Sequence, residues 1–356
     1  MRNMKKIVCL LLVASLLCLF AACNSPAPTG EGDTEAVNQT GDATTKIVTD
    51  YQGRQVEIPT KVTKVAGFAT AFLADLGHSE MICAPQGPKL PSIYEYTAPA
   101  YAAMGNDNAA LYADLDTFEV IAKLDPDIYF CRQRSVGEME QGLADLGIPM
   151  IVFHHETPEE YYAALRLLGD CIGDTESAER VIKIYQDRLD FLFGLTKDAP
   201  KPTAVIMGGD YGQVANGSML QSIMMDVAGI TNAAQEIDSG DDIWPNVGIE
   251  KIFEWDPEYI FITTWGNATY TIDDILKDPA WSELKAVKNG HIYPLPATFD
   301  KWEYPYACAP LLASWMTHIA HPDLYSEQDM VDGVLKYYVD IYGDSCKTLT
   351  RELLGF

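Results

Sequence analysis

Two stretches of this chain repeat each other, and that repeat restricts its possible folds more than any other feature. Phe118 to Phe130 aligns with Ile249 to Phe261 at a constant offset of 131 residues. Glu119, Ile121, Asp125, Pro126 and Phe130 are identical to Glu250, Ile252, Asp256, Pro257 and Phe261, and Asp127 is matched by Glu258. Ordinary composition yields roughly one identity over such a length. Each copy predicts a short helix, a stop at the Asp-Pro step and then a buried strand, because the residue before proline is pushed out of the helical region. One supersecondary unit recurring at that distance implies two similar lobes.

The lobes also open alike. Lys64 to Phe68 predicts a strand, followed by a small-residue turn and a helix ending at Leu76-Gly77. Thr203 to Met207 predicts another, followed by a glycine-rich loop and a helix from Ser218, as its cap, to Gly229. Strands alternating with helices point to an α/β fold with parallel sheets. Between the lobes, Ala178, Val181, Ile182, Tyr185, Leu189 and Leu192 recur at helical spacing over Thr175 to Thr196. That is a single helix about 30 Å long without an internal proline, a bridge that limits how far the lobes can part. The expected organisation is residues 46–174 for the first lobe, 175–196 for the bridging helix and 197–356 for the second lobe.

Residues 1–22 read as a secretory signal. Arg2, Lys5 and Lys6 precede the apolar run Ile7 to Phe20, which is too short to span a membrane comfortably. The run ends in Ala21-Ala22-Cys23, which resembles a bacterial lipobox with Phe20 in place of the usual leucine, so Cys23 is the expected lipid attachment point. Residues 23–45, rich in Ser, Pro, Thr, Gly, Asp and Glu, read as a disordered tether. The charge excludes other partners: 51 acidic residues against 25 basic give −26, which repels nucleic acid and anionic lipid alike. The five cysteines beyond Cys23 are widely spaced with no C-x-x-C pair, so neither zinc nor a redox motif is indicated.

Taken in order, the motifs resemble the substrate-binding lipoproteins of bacterial ABC importers for iron chelates, haem and cobalamin. Asp50 to Pro59 is similar to that family's opening D-x-x-G-R-x-V-x-x-P hairpin, and Trp281 to Gly290 to its W-x-x-L-x-A-V-K-x-G stretch. The resemblance runs from Val48 to the C-terminus. It implies two Rossmann-like lobes with mainly parallel sheets, bridged by one long helix, with the ligand in the cleft between them. It implies a monomeric receptor on the extracytoplasmic face of the cell membrane, held there by lipid alone, that passes a ferric siderophore, haem or corrinoid to a permease dimer and its ATPase. No resident cofactor or metal is expected, the iron or cobalt belonging to the ligand. It also implies that Glu119 and Glu250, in matching positions of the repeat, pair with arginines on the two permease subunits.

No chemistry is expected, since G-x-S-x-G, H-E-x-x-H and G-x-x-x-x-G-K-[ST] are all missing. Alternatives are a molybdate or tungstate receptor, a surface-anchored hydrolase built on scattered carboxylates, and a zinc or manganese receptor, for which six histidines are few. Ligands of open parallel sheets gather at the carboxyl ends of strands. That rule selects Phe68, Thr70, Tyr94, Tyr96, Arg132 and Arg134 in the first lobe, and Tyr211, Trp265, Trp302 and Tyr304 in the second. The two arginines suit carboxylates or phosphates of a chelate, and the loop aromatics suit its apolar parts. His154 and His155 read as ordinary loop histidines, and Trp315 and Tyr337 as core.

Overall fold

The computed structural model describes residues 44–83, 92–98, 117–238, 244–264 and 268–356. The expected signal and nearly all of the expected tether lie outside them. Strand begins at Thr45, the tether's expected last residue. There β1 (Thr45–Thr49) pairs antiparallel with β2 (Gln55–Pro59). The turn between them is organised by Asp50, whose buried carboxylate accepts from the N–H groups of Gln52 and Arg54 at 3.0 Å each and from the Arg54 guanidinium at 2.7 Å. Gly53 takes the positive φ of 78° that the turn requires.

The first lobe holds a parallel sheet of β3 (Val65–Gly67), β4 (Ile128–Arg132) and β5 (Met150–Phe153) in that order. The second contains β6 (Thr203–Met207), β7 (Thr231–Asn232), β8 (Tyr259–Ile262) and β9 (Ile292–Pro294), all parallel and ordered β7-β6-β8-β9. Around them pack α1 (Thr70–Leu76), α2 (Phe118–Leu124), α3 (Pro158–Ile172), α4 (Thr175–Thr196), α5 (Leu220–Val227), α6 (Ile249–Trp255), α7 (Ala309–Ala320) and α8 (Glu327–Tyr342). The fold is therefore α/β, two parallel-sheet lobes joined by α4.

Strand alternation decides where the cores lie. Ile128, Phe130, Ile151 and Phe153 of the first sheet, with Ala204, Ile206 and Phe261 of the second, face one central core shared by both lobes. Their neighbours Tyr129, Cys131, Met150 and Val152 face a separate core in the first lobe, and Val205, Met207, Ile260 and Ile262 one in the second. Each fully buried large side chain contributes about 1.5–3 kcal/mol. Helix α4 buries Ala178, Val181, Ile182, Tyr185 and Leu192 against that central core, and Asp174 caps it by accepting from Ser177 N–H at 3.0 Å. Helix α5 starts at Leu220, later than the expected Ser218 cap. Ser218 instead donates its N–H and hydroxyl to Asn216 Oδ1, which holds it in the preceding turn.

The Asp-Pro repeat survives as three-dimensional structure. Helices α2 and α6 end at Asp125 and Asp256, which adopt left-handed conformations with φ of 50° and 42°. Two residues on, Asp127 accepts from the N–H groups of Thr63 and Lys64 at 2.6 and 2.9 Å, and Glu258 from that of Thr203 at 3.0 Å. Each acid thus ties the strand it introduces to the start of the neighbouring strand.

Candidate ligand-binding site

Strands β4 and β5 end side by side, and their carboxyl ends carry Arg132, Gln133, Arg134, His154, His155 and Glu156, which line a pocket of about 310 Å³. That is the lower end of the 300–1,000 Å³ common for small-molecule sites. The Arg132 guanidinium carbon lies 3.7 Å from the centroid of the Phe68 ring, at the end of β3. Among the described residues no carboxylate comes within ion-pair distance of Arg132, and its Nε is buried without a hydrogen-bond partner. Burial, and then the like charge of Arg134, lower its pKa, but a guanidinium stays charged at any physiological pH. Arg134 is more exposed, with Glu156 at 3.9 Å.

His155 is 4 % exposed, and burial followed by the charge of Arg132 lowers its pKa to about 3, so it is neutral. Its ring packs against Phe72, Phe153 and Tyr306, with centroids at 5.7, 5.1 and 5.3 Å. Tyr306 belongs to the second lobe, in the segment after β9, so the wall beside the pocket is built from both lobes. Asp75 of α1 accepts from Ala307 N–H and steadies this segment. So does Glu303, which accepts from the N–H and hydroxyl of Thr264 at 2.9 and 2.8 Å and from the Thr263 hydroxyl. The resulting pocket carries two guanidinium groups and one carboxylate, with the rings of Phe68 and Tyr306 packed against its Arg132 and His155.

The expected site residues divide by position. Arg132 and Arg134 line the pocket, and Phe68 lies against Arg132. Tyr94 and Tyr96 are half-buried on the central core, Tyr96 meeting Phe299 of the second lobe at 5.6 Å. Tyr304 is also half-buried, with Lys301 Nζ donating to its hydroxyl at 3.2 Å. Three sit elsewhere. Trp302 is 2 % exposed and its indole N–H donates to Tyr338 at 2.8 Å, so its ring belongs to the core and not to a ligand surface. Thr70 is buried in the first turn of α1. Tyr211 stacks on Tyr270 at 4.3 Å, with Trp281 at 5.9 Å, within the second lobe. Trp265 and Cys23 lie outside the described residues. Glu119 and Glu250 are exposed in the first turns of α2 and α6. Gln133, His155 and Tyr306 lie in strand-end loops that the same rule selects but carry no ligand assignment of their own, and Glu156 lies one residue beyond such a loop. Only their places beside Arg132, at the end of a strand and in an aromatic loop marked them.

Two parallel α/β lobes on one helix, with a pocket at the strand ends, are the architecture of a solute-binding protein. The chain belongs to the periplasmic binding protein family, whose match covers residues 43–298. It is similar to the molybdate-binding protein MolA of Haemophilus influenzae, 23 % identical over 334 residues, covering 85 % of this chain and 92 % of that one. It is also similar to an iron-uptake system-binding protein of Bacillus subtilis, 22 % identical over 311 residues, covering 82 % and 90 %. The fold matches that of CeuE of Helicobacter pylori in a nickel–histidine complex, with a TM-score of 0.69 at 21 % identity, covering 87 % of this chain and 98 % of that one. MolA is the cognate periplasmic binding protein of an ABC transporter, and membership of this family implies a permease and an ATPase as partners and a small molecule as ligand. No helix among the described residues is long and apolar enough to cross a membrane.

Proposed function

We propose that this protein captures a compact, negatively charged ferric chelate, one with free carboxylates, and delivers it to an ABC permease without altering it. The observation that carries this reading is Arg132, half-buried beside a pocket yet unpaired with any described acid, in a chain with 51 acidic residues. A guanidinium left open in such surroundings favours a ligand that brings its own carboxylate. The modest pocket favours a compact chelate over haem or a corrinoid. The likeness to MolA and the second arginine at the rim support one other reading, a molybdate receptor. Glu119 and Glu250 serve the permease in this reading, and Cys23 carries the lipid.

Tryptophan-fluorescence and calorimetric titrations with ferric citrate, haemin, cobalamin and sodium molybdate test it. Ferric citrate should bind, and Arg132→Ala should weaken it by about 2 kcal/mol, roughly thirtyfold. Saturable binding of molybdate alone would favour the second reading, and silence with all four would refute both.

A further inference from the structure

Arg132 has a competitor for its charge inside its own pocket. Glu156 lines the same space, and its carboxylate already reaches to 3.9 Å from Arg134. Arg132 nevertheless makes no ion pair with it. What the guanidinium does touch is the face of the Phe68 ring, its carbon lying over the ring 3.7 Å from the centroid, a contact in which a weakly hydrated planar cation gains from the ring's electron density. The backbone enforces that ring's position. Phe68 N–H donates to the carbonyl of Phe130 at 2.8 Å, and Gly67 turns the chain into this bond with φ of 84°. A Cβ at residue 67 would lie 2.5 Å from the same carbonyl oxygen, so a side chain there would push Phe68 out of place.

We propose that Phe68 is a positioning residue: by stacking on Arg132 it holds the guanidinium away from Glu156 and leaves it open to an anionic ligand. The inference rests on reading the pocket as an anion site, and it replaces the direct ligand contact expected of Phe68. Without the ring, the arginine gains the freedom to pair with Glu156, and the site neutralises itself.

The test combines a ligand-free measurement with a double-mutant cycle on the full chain. In the parent protein the Arg132 Nε–H resonance should carry an upfield ring-current shift, kept in Phe68→Tyr and lost in Phe68→Leu. In titrations with ferric citrate and with molybdate, Phe68→Leu should bind about tenfold more weakly, while Phe68→Tyr stays within about twofold. Glu156→Gln should improve binding far more in the Phe68→Leu background than in the parent chain, where the gain should stay below about threefold. Equal gains in the two backgrounds would mean that Glu156 acts only as a general repulsive charge, and would overturn the proposal. A ring-current shift that survives Phe68→Leu would overturn it as well. The resonance requires no ligand, so a parent protein that binds neither probe refutes the functional reading while the stack is still decided.

Discussion

Asp75 shows how far one residue can be moved from its ordinary behaviour. It sits in α1, buried on every side, and accepts hydroxyl hydrogen bonds from Tyr161 and Tyr342 at 2.7 Å each. Burial outweighs those donors and that of Ala307 and raises its pKa to about 7; burial likewise raises nearby Asp300 to about 6. Both acids hold their protons more tightly folded than unfolded. The stability they contribute is complete below the ordinary carboxylate range and is lost as pH rises through 6 and 7. Thermal unfolding should accordingly show a melting temperature that falls between pH 5 and 8, and Asp75→Asn should flatten that fall. A melting temperature that climbs over this interval would contradict the assignment. In the sequence Asp75 is one acid in an apolar helical run. Its partners lie 86 and 267 residues away, so nothing local marks it.

At the scale of elements, the Asp-Pro unit was the most legible part of the chain. Its helix, stop and strand follow from local chemistry, since proline restricts its predecessor and the apolar run after it has one stable use, a buried strand. The hydrogen bonds of Asp127 and Glu258 to the neighbouring strands were not legible, because they depend on which strands lie side by side. The turn after β3 combines both kinds of information. The small residues after the predicted strand Lys64–Phe68 mark a turn in sequence, but only the Phe130 carbonyl, 2.5 Å from where a Cβ would sit, makes glycine obligatory at residue 67. Gly67→Ala should destabilise the protein by about 2 kcal/mol or more, from the left-handed backbone and the clash together. Urea unfolding checks this, and an unchanged midpoint would show that the turn can relax.

In the molecule as a whole, the two lobes share a core rather than meeting only at α4. Tyr342, at the end of α8, reaches Asp75 in the first lobe, and Ile93 N–H donates to Phe299 in the second at 3.2 Å. On the exterior, the repeat presents one exposed glutamate at the same helical position in each lobe. Rim charges of this kind set association rate and register more than ligand affinity. Cells carrying Glu119→Lys with Glu250→Lys should lose uptake while the purified variant binds ligand normally, and normal uptake would remove these residues from docking. Cys23→Ser should shift the protein from the membrane fraction to the soluble fraction. Retention in the membrane fraction would mean that something other than this cysteine holds it.

Local sequence determined the elements and their class. Periodicity sets a 22-residue helix, apolar runs between turn residues set parallel strands, and a repeated Asp-Pro unit sets two lobes. It also pointed to Arg132 and Arg134, because cations at a strand end stand out in an acidic chain. Tertiary structure alone decided which aromatics lie beside the pocket and which are locked in the core. Trp302 and Tyr306 sit four residues apart in one loop, yet one is locked to Tyr338 and the other stands against His155. The reason is physical: a side chain's partner in a long-range contact comes from another element, and a loop's sequence carries no period from which its direction could be read.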